Sequence, residues 1–116
     1  MNENRQLPQP WIRAFLPLAI LGCLTSGPAH GYAIAQELGA RGFGAPRGGS
    51  LYPVLGKLEA DGLVATTWVE GQSGPGRKEY ALTAKGHKEL EHASTQFARL
   101  GEAVFTHEQT KGNSHE

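Results

Sequence analysis

Residues 49–83 read GSLYPVLGKLEADGLVATTWVEGQSGPGRKEYALT, and this stretch decides the fold. Leu51, Val54, Leu55 and Leu58 recur at steps of three and four, so they share one inward face of a helix that begins at Ser50. Asp61-Gly62 closes it. Pro53 fits such a helix if Ser50 lies close to the cap, because first-turn amides have no intrahelical acceptor. From Leu63 to Glu70 the sequence turns to β-branched and aromatic residues and reads as a strand. Arg77 to Leu82 reads as its partner, with Tyr80 and Leu82 on one face, and the glycine-rich segment 71–76 joins the two as a hairpin.

Upstream, Pro8 and Pro10 set up a helix start near Trp11. Ile12, Phe15, Leu16, Ala19, Ile20, Cys23 and Leu24 then follow helical spacing to Thr25. Pro17 either begins the regular part of this helix or kinks it, since it removes one backbone donor. Ser26-Gly27-Pro28 ends the helix. His30-Gly31-Tyr32 opens a second, short helix carrying Tyr32, Ile34, Ala35 and Leu38 and ending near Gly39. Residues 39–49 hold five glycines and one proline and read as a loop. Downstream, Thr83 is the expected N-cap of a long helix through about Glu108, where Leu90, Ala93, Phe97, Leu100 and Val104 form a heptad seam. The expected division is a flexible arm (1–8), a compact domain (9–83), a terminal helix (84–108) and a disordered tail (109–116).

A chain of 116 residues has room for one domain, and its 39% hydrophobic and 19% charged residues exclude both a disordered acidic tail and a bulk polycation. The charge sums to zero, with 11 Lys+Arg against 11 Asp+Glu, but it is unevenly distributed. Residues 41–57 carry Arg41, Arg47 and Lys57 with no acid. Residues 71–88 carry Arg77, Lys78, Lys85 and Lys88 against Glu79 alone, while residues 89–116 carry five acids and only Arg99 and Lys111. The single cysteine excludes an internal disulfide and a cysteine-rich zinc site. Phe15 to Leu24 is a short apolar run behind Arg5 and Arg13, and Ile20-Leu21-Gly22-Cys23 has the look of a lipoprotein processing box. An exported lipoprotein anchored at Cys23 is therefore a rival to a buried helix. Roughly ten apolar residues broken by Pro17 are too few to span a bilayer, and Glu3 and Trp11 do not suit a signal peptide.

Helix, helix, loop, helix and hairpin is the order of a winged helix-turn-helix, mainly α with a small β-hairpin, whose third helix enters the major groove. The residues sharpen this. Leu18 to Leu24, Gly27-Pro28-Ala29-His30-Gly31-Tyr32, Gly49 to Leu55, Leu58 to Leu63, and Arg77 to Thr83 with Gly86 together resemble the PadR family of bacterial transcriptional regulators over roughly residues 11–108. The resemblance implies a cytoplasmic repressor of operator DNA, homodimeric through one C-terminal helix, as in the compact PadR subgroup. It also implies a small aromatic or hydrophobic effector and no cofactor. Gly56 departs from the family, where a longer polar residue is common, so base reading is expected to lean on DNA shape and the hairpin.

Cations near phosphates and small or polar groups near base edges are what such a reading needs. The DNA-contact candidates are Tyr32, Arg47, Ser50, Tyr52, Pro53, Lys57, Arg77 and Lys78. For both tyrosines the competing reading is a core ring with a wet hydroxyl. Two protomers neutralising about eight phosphates give a log-log salt slope of about −7. Leu90, Ala93, Phe97, Leu100 and Val104 are the dimer-interface candidates. Ala93, Phe97 and Leu100 are also effector contacts by resemblance, with Trp11 and Phe15 as further walls. A plain dimer core competes with that role. Gly42-Phe43-Gly44 and Gly74-Pro75-Gly76 lack the Lys-Ser/Thr pair of a phosphate loop. His87, Glu91 and His92 read as a solvated helix face rather than a metal site, and no nucleophile has an adjacent base, so an enzyme is not expected. A winged helix that binds protein instead of DNA is the remaining alternative.

Overall fold

The computed structural model describes residues 6–71 and 74–113, with side chains described through Phe105. Helix α1 (Gln9–Cys23) starts directly behind Pro8, with Pro10 in its first turn, where a missing amide leaves no bond unmade. Pro17 lies in the interior of α1, not at its start, so the Arg13 carbonyl loses its helical donor there. The expected flexible arm is held at its inner end. The Leu7 amide donates to the Gly42 carbonyl at 2.8 Å, while residues 1–5 lie outside the described residues.

Strand β1 (Ala29–His30) is an element the sequence did not announce. It pairs antiparallel with the later strand β3, Ala29 opposite Tyr80 and His30 opposite Glu79, so the expected hairpin is a sheet of three strands. Helix α2 (Gly31–Leu38) follows, and residues Gly39–Phe43 extend it in a turn that leaves helical geometry at Gly42 (φ 94°), occupying part of the expected loop. Helix α3 (Gly48–Ala60) begins two residues before Ser50, behind an extended Arg47. The amides of Ser50 and Leu51 both donate to the Arg47 carbonyl at 2.9 Å. Pro53 therefore falls in the second turn rather than the first, and its missing amide leaves the Gly49 carbonyl open.

Strands β2 (Val64–Val69) and β3 (Arg77–Leu82) pair from Val64 opposite Leu82 to Val69 opposite Arg77, giving the sheet order β1-β3-β2. Thr83 makes the corner into the last helix. Its Oγ1 accepts from the Gly86 amide at 3.0 Å and donates to the Gly62 carbonyl at 2.7 Å, so one hydroxyl caps the helix and fastens it to the end of α3. Helix α4 (Ala84–Asn113) has 30 residues, about 45 Å at 1.5 Å per residue. It passes the expected end at Glu108, with no proline anywhere in α4 to stop it. Of the segment expected to be disordered, 109–113 is helical and 114–116 lies outside the described residues.

The core joins α1, α2, α3 and the sheet: Ile20, Leu21, Ile34, Leu38, Leu51 and Leu55 are fully buried, with Val64 and Tyr80 closing it from the strands. Two residues of the lipoprotein-like box, Ile20 and Leu21, are thus pillars of this core, and Cys23 is half-buried beside them. Among the described residues no helix is long and apolar enough to cross a membrane. Leu90, expected in an inter-subunit seam, is partly buried against the chain's own core, because the first turns of α4 run past α1 and β3.

Candidate nucleic-acid interface

The N-terminal ends of α2 and α3 meet through Tyr52. Its ring lies across Gly31, where a Cβ would stand 2.7 Å from Tyr52 Cζ, and against Gly48, where a Cβ would stand 3.4 Å from Tyr52 Cδ2. Glycine at 31 is what permits the ring to rest there. Tyr52 nevertheless remains half-exposed. Tyr32 is open to solvent at 66%, which removes the core-ring reading for it. Its ring stacks parallel to His30 at 6.4 Å, and its hydroxyl accepts from Gln36 Nε2 at 3.1 Å. Between the two tyrosines lies an open cleft of about 140 Å³ floored by Gly31, Ala35, Pro46, Gly48 and Leu51. Arg47, Ser50 and Pro53 are exposed along the same end of α3.

The hairpin separates two cations that sequence reasoning treats together. Successive strand residues point to opposite faces. Trp68 is paired with Lys78 and Thr66 with Tyr80, and the Tyr80 ring is buried, so Lys78 and Trp68 share the face turned toward α3. Arg77 lies on the other face with Glu79. Thr66 Oγ1 donates to Glu59 Oε2 at 3.0 Å, which ties that inner face to the end of α3. Burial raises the Tyr80 phenol above its ordinary value, with Tyr52 and Glu59 adding to the effect, so the ring stays neutral.

Lys57 differs from the other candidate cations. Its Nζ donates to Asp61 Oδ2 at 2.9 Å, and that carboxylate engages its charge. Arg41 is similarly paired with Glu37. Neither Arg47, Arg77 nor Lys78 takes part in an ion pair among the described residues, and all three are exposed.

On α4 the predicted seam is open. Phe97 is 59% exposed, Leu100 48% and Val104 61%, while Ala93 is half-buried. Phe105, which the heptad count passed over, extends this apolar face, and Trp11 of α1 is similarly exposed. Phe15 meets Phe97 edge-to-face within the same chain, with ring centroids 5.6 Å apart. The effector candidates Phe15 and Phe97 are therefore in mutual contact. His87 and His92 are exposed, and no group of three or more His, Cys, Asp or Glu among the described residues is placed to hold a metal ion.

Trp68 is a second exposed residue, besides Phe105, that sequence reasoning missed. Counting by two from Val64 through Thr66 places it on the inner face, and that alternation was the available signal.

A helical core whose third helix runs directly into a short antiparallel hairpin defines a winged helix-turn-helix protein. Residues 20–92 match the profile of the Transcriptional regulator PadR-like family, and the chain belongs to that family. The PadR family transcriptional regulator from Eggerthella lenta DSM 2243 is 32% identical, with a TM-score of 0.76 over 87% of this chain and 88% of that one. Bacillus subtilis PadR, solved in complex with operator DNA, is 30% identical with a TM-score of 0.60, over 66% of this chain and 45% of its own. A 37.1 kDa uncharacterized protein of transposon TN4556 from Streptomyces fradiae is 35% identical over 91 residues. The match spans 76% of this chain and only about a quarter (24%) of that curated relative.

Proposed function

We propose that the protein is a homodimeric repressor that binds duplex operator DNA in the cytoplasm and is released by a small aromatic or hydrophobic effector held between its α4 helices. One observation carries the DNA reading. The half-exposed Tyr52, the open Arg47 and the open Lys78 lie around the start of α3 and the α3-facing side of the hairpin, without ion-pair partners. Unpaired cations beside an exposed helix start are what phosphate neutralisation and groove entry require. The operator complex of Bacillus subtilis PadR supports the same use of the fold.

The dimer reading rests on Phe97, Leu100, Val104 and Phe105, an apolar face on a helix that outruns its own core. Such a face needs a partner, and a second α4 supplies one of matching pattern. Pairing would set two α3 helices about one DNA turn apart, roughly 34 Å.

DNA selection with purified protein, followed by anisotropy across salt, tests the proposal. A slope of about −7 in the log of the association constant against log salt is expected, so that Kd rises steeply with salt. Sedimentation should show dimers that L100D with V104D converts to monomers. Absence of duplex binding at low salt would overturn the DNA reading, and monomers at micromolar concentration even with DNA would overturn the dimer.

A further inference from the structure

Trp68 has no part in the fold's core or in the α4 face, yet it is 60% exposed and well held. Its indole leans toward the hairpin tip across the diagonal neighbour Gly76, where a Cβ would stand 2.8 Å from Trp68 Cε2 and 2.6 Å from the Val69 carbonyl oxygen. Glycine at 76 lets the ring lie flat on the hairpin. The indole is thus a supported platform rather than a swinging side chain, which keeps the ordering loss on binding small. Opposite it on β3 stands Lys78, and the next pair along is Val69 with Arg77. From Gly74 to Lys78 there is no acid. The Nε1–H of Trp68 has no hydrogen-bond partner among the described residues.

An exposed aromatic plane with a free N–H donor and the unpaired Lys78 on the same face complements one kind of surface: a sugar-phosphate wall, apolar along the deoxyribose and anionic at the phosphates. The face on which Trp68 sits is the one turned toward α3, so a duplex entered by α3 would pass along it. From this we infer that Trp68 is a direct DNA contact, its indole packed against the backbone wall of the duplex and its Nε1–H donated to a phosphate oxygen. The inference rests on the DNA-binding reading above and adds to it a residue that supplies affinity without charge.

That absence of charge makes the inference separable from the rest. A cation removed from a phosphate lowers the salt slope by about 1 per site, whereas loss of an uncharged contact weakens binding at every salt and leaves the slope alone. W68A is expected to bind about tenfold more weakly, the size of one lost aromatic contact, with an unchanged slope. K78A is expected to lower the slope. W68F should recover the packing part of the loss.

W11F leaves Trp68 as the single tryptophan, excited selectively at the red edge where the three tyrosines do not absorb. The probe is a fluorescein-labelled duplex selected from a random library by the wild-type protein, with anisotropy reporting binding and acrylamide quenching reporting exposure of the indole. The expected result is that Trp68 becomes shielded from acrylamide in step with the rise in anisotropy. Anisotropy that rises while Trp68 stays open, or W68A binding as tightly as wild type, overturns the inference and leaves the DNA reading standing. Shielding that follows protein concentration without DNA also overturns it, since the face would then meet a second copy. If wild-type protein selects no duplex, both readings fall.

Discussion

Replacing Gly31 by alanine tests how the interface is built, because the sign of its effect depends on a second residue. The Cβ introduced at 31 would lie 2.7 Å from Tyr52 Cζ and 2.9 Å from Cε1, so the ring must move. Tyr52 is half-exposed and its way out is toward solvent. A tyrosine buries roughly 150–250 Å², so losing the buried half releases about 100 Å², or about 2.5 kcal/mol at roughly 25 cal/mol per Å². Alanine returns about 0.5–1 kcal/mol of helix propensity at a residue whose φ is not left-handed. The balance is a loss of about 1.5–2 kcal/mol, which lowers Tm by about 5–10 °C.

With Tyr52 already cut to alanine the obstacle is gone, and the same G31A change should stabilise by about 0.5–1 kcal/mol. The four proteins form a cycle whose coupling energy is about 2–3 kcal/mol, large enough to resolve by urea denaturation. Anisotropy on the same proteins reads the interface. G31A should weaken duplex binding in the wild-type background and have no further effect on Y52A. A G31A that melts with the wild type, or that destabilises Y52A as much as wild type, would refute the packing argument.

Thr83→Ala removes both the cap on Gly86 and the bond to the Gly62 carbonyl, and is expected to lower stability by about 1–2 kcal/mol in urea titration, with T83S retaining most of it. Tyr80 gives a pH dependence at the alkaline end. Burial raises its folded-state pKa above the unfolded value of 10.0, so its contribution is complete below pH 10.0 and is lost as pH rises through the folded pKa. The urea midpoint should therefore fall above that pH, and Y80F should flatten the fall. Cys23 is raised above 9.0 by burial, against the pull of Arg41; iodoacetamide at pH 8 should label it more slowly in native protein than in urea, and equal rates would contradict the buried position.

The parts of the fold that repeat were legible. Leu51, Leu55 and Leu58 announced α3 by period, and Thr83 announced α4 by its hydroxyl. β1 was not legible, because two residues carry no alternation and its partner Tyr80 is 51 positions away from Ala29 in the register. The start of α3 was misplaced for a related reason. Gly48 and Gly49 have poor helix propensity, and it is the Ser50 and Leu51 amides bonding to the Arg47 carbonyl that carry the helix back to them. On α4 the apolar period was legible, but what it packs against was not. Leu90 meets its own core while Leu100 stays open, and an apolar period is the same whether the partner lies in the same chain or another. For the candidate interface, residue type picked out Arg47 and Tyr52, but the paired charge of Lys57 and the opposite faces of Arg77 and Lys78 required Asp61 and Tyr80 to be placed in space.

Helix α1 belongs to both halves of the proposed switch. Ile20 and Leu21 anchor it in the DNA-reading core, and Phe15 meets Phe97 of α4. In the proposed dimer, a ligand that parted these rings, or that packed on them from the partner's side, would tilt α4 against the winged-helix core and change the spacing of the two α3 helices. Such a ligand shifts the equilibrium only by its difference in affinity for the two arrangements. A hundredfold loss of DNA affinity corresponds to about 2.7 kcal/mol, and linkage then requires operator DNA to weaken effector binding by the same factor. Titrating one aromatic ligand into free protein and into the saturated DNA complex measures that factor from the other side. Equal ligand affinity for the free protein and the DNA complex would mean that the two sites are not coupled, and a coupling left unchanged by F97A would mean that the route through Phe15 and Phe97 has to be given up.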